Sequence, residues 1–122
     1  MAKDFSRSKR VGDQIQRELA LLIQQEIKDP RIGMVTVTAV QVGREFDIAK
    51  VYVMTSGDEQ AKELSLNILN RAAGFLRHEL GHRLTIRNTP QLRFLQDISS
   101  ERGAYLSQLI DKAVATDKKN KT

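Results

Sequence analysis

At 122 residues the chain has the length of one domain, and folding at that size buries roughly two thirds of the unfolded surface, enough for a core without staples. The absence of cysteine excludes a disulfide, a thiolate zinc site and a thiol nucleophile. A formal charge of +5 comes with no apolar run long enough for a bilayer span or a signal peptide, so a soluble, cytoplasmic protein is expected.

Val11, Ile15, Leu19, Leu22, Ile23 and Ile27 recur at steps of three and four residues and predict an amphipathic first helix of about five turns. Ser6 or Ser8 is the expected cap at its start, and Pro30 the expected stop. Asp29-Pro30-Arg31-Ile32-Gly33 reads as a tight turn. Residues 34–42 are rich in Val and Thr, and 48–55 place Ala49, Val51 and Val53 on one face, so both read as strands. Gly43-Arg44-Glu45-Phe46-Asp47 joins them as a hairpin. Ser56 and Glu59 stand at capping-box spacing before the next helix, whose predicted stripe is Ala61, Leu64, Ile68 and Ala72, continuing through Phe75, Leu76 and Leu80.

That stripe crosses Ala72-Ala73-Gly74. An interior glycine costs about 1 kcal/mol relative to alanine, so Gly74 is expected to mark a kink or a junction between two helices. Gly81 is expected near the second helix's C-terminus. A third strand over 91–97 puts Leu92 and Phe94 inward. A last helix, capped by Ser99 or Ser100, carries Leu106, Leu109, Ile110 and Ala113. The expected order is α-β-β-α-α-β-α, an α+β architecture with a three-stranded sheet and helices on one face, which matches the second topological class of KH domains. Residues 1–115 form the expected domain, and 116–122 a short polar, disordered tail.

Charge is segregated. Residues 1–17 carry five Lys/Arg against two Asp, and residues 71–93 carry five Arg against the single Glu79, whereas residues 18–70 are net acidic. Such concentration points to a polyanionic partner at a defined face.

Five segments together resemble a known family across nearly the whole chain. They are Arg10-Val11; Glu26-Ile27-Lys28-Asp29-Pro30-Arg31-Ile32-Gly33; Ala49-Lys50-Val51-Tyr52-Val53; Ala72-Ala73-Gly74-Phe75-Leu76-Arg77; and residues 84–94, from Leu84 to Phe94. In joint order and spacing they are similar to ribosome-binding factor A. The resemblance implies a KH-type domain of type II topology in which an Ala-x-Gly helix kink, here Ala72-Ala73-Gly74, replaces the GxxG loop. It also implies a non-catalytic, monomeric assembly factor that binds the free small ribosomal subunit and its rRNA, aids rRNA maturation and supports growth in the cold. No cofactor, metal, membrane or small-molecule substrate is implied. No role of the long acidic extension that some family members carry after the last helix is carried over.

On physical grounds, the uncapped amides after a helix junction attract phosphate. Guanidinium groups suit phosphate because their paired donors match its oxygens. The candidate RNA-binding residues are therefore Ala72, Ala73 and Gly74 with Arg71, Arg77, Arg83, Arg87 and Arg93, joined by Lys9 and Arg10 on the first helix. Loss of the GxxG clamp favours recognition of folded RNA by shape and phosphate position. Of the stacking candidates Phe46, Tyr52, Phe75, Phe94 and Tyr105, periodicity assigns Phe75 and Phe94 to the core, so base stacking is expected to be secondary.

Two other readings compete. His78-Glu79-Leu80-Gly81-His82 fits H-E-x-x-H, the zinc-hydrolase pattern, with Asp97 or Glu101 as the third ligand. Arg77, Arg83 and Arg87 around it disfavour a divalent cation, and Gly81 is expected to end the helix before His82 is presented. The basic start of the first helix also fits a protein-interaction module. The bland alternatives are a glycine kept for helix packing and arginines on a solvated face.

Overall fold

The computed structural model describes residues 2–84, 86 and 88–99. Over these the order is α1 (Ala2–Glu26), β1 (Val35–Val42), β2 (Ile48–Thr55), α2 (Glu59–Arg71), α3 (Ala73–Gly81) and β3 (Gln91–Gln96). The predicted last helix, the tail, Arg87, Ser100, Glu101 and Tyr105 lie outside the described residues.

The sheet has the order β1-β2-β3, with β1 antiparallel to β2 and β3 parallel to it. The parallel pairing follows from the α2–α3 crossover, which returns the chain to the same end of the sheet. The helices cover one face. Ala49, Val51 and Val53 of β2 alternate inward and are fully buried, and Leu92 and Phe94 of β3 meet them from the neighbouring strand. From α1, Val11, Ile15, Leu19, Leu22 and Ile23 fill the other side of the core, as the stripe predicts; Leu69, Leu76 and Leu80 complete it from α2 and α3.

Several boundaries differ from expectation. Ser6 and Ser8 lie within α1, which begins at Ala2, and the helix stops at Glu26, before the proline can act. The cap of α2 is Asp58, whose carboxylate accepts from the Ala61 N–H at 2.8 Å. Ser56 is occupied elsewhere: its hydroxyl accepts the Met34 N–H at 3.0 Å and ties the start of β1 to the end of β2. The buried face of α2 is Ser65, Ile68 and Leu69: Ile68 lies on the predicted stripe, but Leu64 is 39% exposed and Ser65 and Leu69 pack in its stead.

Two polar contacts lock the layers, and a third closes the turn after α1. The Gln16 amide donates to the Val37 carbonyl at 3.1 Å, beside a bulge that leaves Thr38 out of the β1–β2 register. Asn70, at the end of α2, pairs with both backbone groups of Phe94: its Nδ2 donates to the carbonyl at 3.1 Å and its Oδ1 accepts the N–H at 2.9 Å. In the turn after α1, Asp29 accepts from Arg31 Nε at 3.0 Å, Nη2 at 2.7 Å and the backbone N–H at 2.9 Å.

α1 crosses β1 at Gly12, where an added Cβ would lie 2.8 Å from the Val40 carbonyl oxygen. Alanine gains about 1 kcal/mol of helix propensity but overpacks this crossing at a typical cost of about 1–3 kcal/mol. Gly12→Ala is therefore expected to lower the urea midpoint; a raised midpoint would show that the close approach does not constrain the fold. The Arg31 hydrogen bonds hold the Asp29 carboxyl down from 3.8 to about 2. Its folded pKa lies below the unfolded one, so the stabilisation is complete above about pH 4 and is lost as pH falls through about 2. Carboxyl chemical shifts followed through an acid titration check this: an Asp29 midpoint near 3.8 would contradict the pairing.

Candidate nucleic-acid interface

The two helices between β2 and β3 meet at Ala72. This residue closes α2, its N–H bonding the Ile68 carbonyl at 3.0 Å, and opens α3, its carbonyl accepting the Leu76 N–H at 2.9 Å. The bend therefore sits at Ala72, with φ −85° and ψ 0°, and not at the glycine. Alanine tolerates this bridge region, so no positive φ is needed. Gly74 is the second residue of α3, exposed, and an added Cβ there would meet nothing within 4 Å. Ala72 and Ala73 are half-buried against the core and carry no side chain beyond Cβ. No side chain caps α3 at Ala72, so its first amides have no side-chain acceptor there.

The predicted basic residues divide among separate places. Arg71 is exposed in the last turn of α2, beside the joint. Arg77, one turn into α3, is exposed and its Nε donates to the Thr89 carbonyl at 3.0 Å, which holds the guanidinium against the α3–β3 connection. Arg83 turns towards α1: Nη1 lies 3.4 Å from the Glu18 carboxylate and Nη2 3.3 Å from Gln25 Oε1. It clamps α3 to α1, a use its sequence position does not reveal. Arg93 stands on β3 between the inward Leu92 and Phe94, hence on the opposite face of the sheet, in register with Lys50 of β2. Lys9 and Arg10 are exposed on α1.

Two aromatics depart from expectation. Phe94 is buried as predicted, but Phe75 is 46% exposed, immediately after Gly74. The stripe passes through Leu76 and Leu80, and at a rotation of about 100° per residue Phe75 is turned outward. Phe46 is half-buried in the β1–β2 turn with φ 58°, a left-handed conformation that costs an L-residue about 1–2 kcal/mol. It lines an open cleft of about 490 Å³, together with Arg7, Glu45, Asp47, Arg77, Asn88 and Gln91. The Arg7 guanidinium carbon lies 5.4 Å from the centre of the Phe46 ring. An aromatic residue in a glycine-containing hairpin turn was the one available signal for this cleft.

His78 and His82 do share a face. α3 ends at Gly81 as expected, but the C-cap His82 keeps right-handed helical angles and is still presented beside His78, the two Nε2 atoms lying 3.4 Å apart. Among the described residues, however, no third His, Asp or Glu joins them. Asp97 is committed elsewhere: Thr38 Oγ1 donates to it at 2.6 Å, and the Ser99 hydroxyl and N–H at 2.6 and 2.9 Å. These bonds, those of Ser99 first, hold its carboxyl below the usual range. No described helix is long and apolar enough to cross a membrane.

Comparison with known proteins adds three findings. The family model of ribosome-binding factor A matches residues 7–110. Ribosome-binding factor A of Stutzerimonas stutzeri is 54% identical over 123 residues, covering 98% of this chain and 95% of that protein, and the Pseudomonas aeruginosa protein is 56% identical over 119 residues, covering 96% and 92%. Among solved structures, ribosome-binding factor A of Thermus thermophilus superposes with a TM-score of 0.65 at 34% identity, over 73% of this chain and 94% of that one. A homology model of the Thermus thermophilus protein, fitted into the cryo-EM map of its complex with the 30S, gives a TM-score of 0.61 at 35% identity, over 72% and 92%.

Because neither backbone conformation nor packing requires glycine at position 74, Gly74→Ala is expected to stabilise α3 by about 0.5–1 kcal/mol. Urea denaturation reads this directly, and a loss of stability would return Gly74 to a packing role.

Proposed function

The chain belongs to the ribosome-binding factor A family, and from that premise we propose that it binds the free small ribosomal subunit through its rRNA, using the Ala72–Gly74 joint as the contact point. The observation that carries this reading is the bareness of the joint: an exposed glycine with open space above it, at the start of a helix with no side-chain cap. Helix amides and the positive end of the dipole attract a phosphate there, and small residues let an RNA backbone approach. Arg71 supplies a charge-assisted donor beside the joint, and Lys9 and Arg10 extend the basic surface along α1.

The same reading assigns the protein a cytoplasmic, monomeric and non-catalytic role in small-subunit assembly, with rRNA maturation and growth in the cold as its outcomes. Nothing in the paired histidines favours the hydrolase alternative, since two nitrogens with no third ligand among the described residues do not make a catalytic zinc centre. Arg83 and Arg93 move to the margin of the interface, one holding α1 and the other on the far face of the sheet. Arg87 stays a candidate by its sequence position.

Arg71→Ala is expected to weaken co-sedimentation with free small subunits and to flatten its salt dependence by about 0.7 in log–log slope, the share of one single-strand phosphate contact. Gly74→Asp, which sets a carboxylate where the phosphate sits, is expected to abolish binding while leaving the circular dichroism spectrum and melting point unchanged. Retained binding by both variants would move the interface away from the joint.

A further inference from the structure

We propose that the cleft between the start of α1, the β1–β2 turn and the α3–β3 connection binds one unstacked purine nucleotide of a single-stranded RNA segment, with the base against Phe46 and the phosphate on Arg77. This rests on the small-subunit reading above and adds a base-reading site to a surface otherwise suited to backbone contact.

Three observations carry it. Phe46 occupies a left-handed position that glycine or asparagine would fill without strain. Burial at the core's margin accounts for an apolar side chain there. It does not account for a ring that lines an open cleft of mixed polar and apolar walls, with the Arg7 guanidinium over it. A ring paired with a guanidinium is a stacking platform of the kind that holds bases in single-strand binders.

The cleft's charge is the second observation. Arg7 and Arg77 are balanced by Glu45 and Asp47. A formal sum of zero disfavours a bare polyphosphate, but it suits a base edge, which presents both donors and acceptors. The exposed amides of Asn88 and Gln91 supply both kinds of partner, and the two carboxylates accept from ring and exocyclic N–H groups. The third observation is Arg77 itself: its Nε is committed to the Thr89 carbonyl, which fixes the fork and leaves the terminal donors for one phosphate. A volume of about 490 Å³ falls within the range of small-ligand sites.

The chain has no tryptophan, so Phe46→Trp installs a single reporter in the full-length protein. Its emission is expected to be quenched saturably by a purine-rich single-stranded RNA octamer and by free small subunits. The octamer should lose about tenfold or more in affinity for Phe46→Leu, which keeps the apolar packing but cannot stack. Asn88→Ala, at an exposed position, should weaken binding of the octamer in the same assay and does not depend on how position 46 packs. Subunit co-sedimentation without any change in tryptophan emission would overturn the cleft and leave the family reading standing. Octamer affinity unchanged in both Phe46→Leu and Asn88→Ala would overturn it equally. Failure of the unaltered protein to co-sediment with small subunits removes the premise, and the cleft with it.

Discussion

The paired hydrogen bonds between the Asn70 side chain and the backbone of Phe94 fix where everything else sits. β3 is an edge strand, and its outer backbone groups need partners. A side-chain amide matches such an edge because it offers one donor and one acceptor in the geometry of a peptide group. By taking both groups of Phe94, Asn70 docks the last turn of α2 on the sheet, two residues before the bend at Ala72. Phe94, 1% exposed, then anchors the same point from within the core. The joint is held at a set height above the sheet, with its bare side outward.

From that anchor the molecule separates two ways of meeting RNA. The joint offers amides, small side chains and Arg71, all suited to phosphate. The cleft at the start of β2 and β3 offers a ring, amide side chains and balanced charge, all suited to a base. Arg77 stands on α3 between them, three residues beyond Gly74, and its tie to Thr89 couples the helix to the cleft wall. The four described arginines from 71 to 93 are close in sequence, yet they serve different ends: two face outward beside the joint and cleft, one clamps α1, and one lies across the sheet.

The histidine pair shows how a motif can be satisfied by helical spacing alone. Residues four apart on a helix are neighbours whatever their purpose, and His82 keeps helical backbone angles past Gly81. A catalytic zinc needs a third protein ligand, and the nearest sequence candidate among the described residues, Asp97, closes the end of β3 through Thr38 and Ser99. Fold and chemistry therefore part company at this segment.

Hydropathy period and turn chemistry are local properties, and they were enough to reveal α1, the β1–β2 hairpin, the two-helix crossover and the inward faces of β2 and β3. The joint was legible because Ala-Ala-Gly within an apolar helical stripe is a local anomaly, although the bend lies two residues before the glycine. Which face of α2 packs, and hence the exposure of Phe75, depended on how the crossover settles on the sheet. The same holds for the cap at Asp58, which displaced Ser56 because that serine was needed to join two strands. Apart from the aromatic residue in the β1–β2 turn, nothing in the sequence marked the cleft, since its walls come from residues 7, 45–48, 77, 86, 88, 89 and 91, brought together only when β3 pairs in parallel with β2. Short-range spacing decides what each segment becomes; the meeting of side chains distant in sequence is decided by packing, because only the closed core sets their distances.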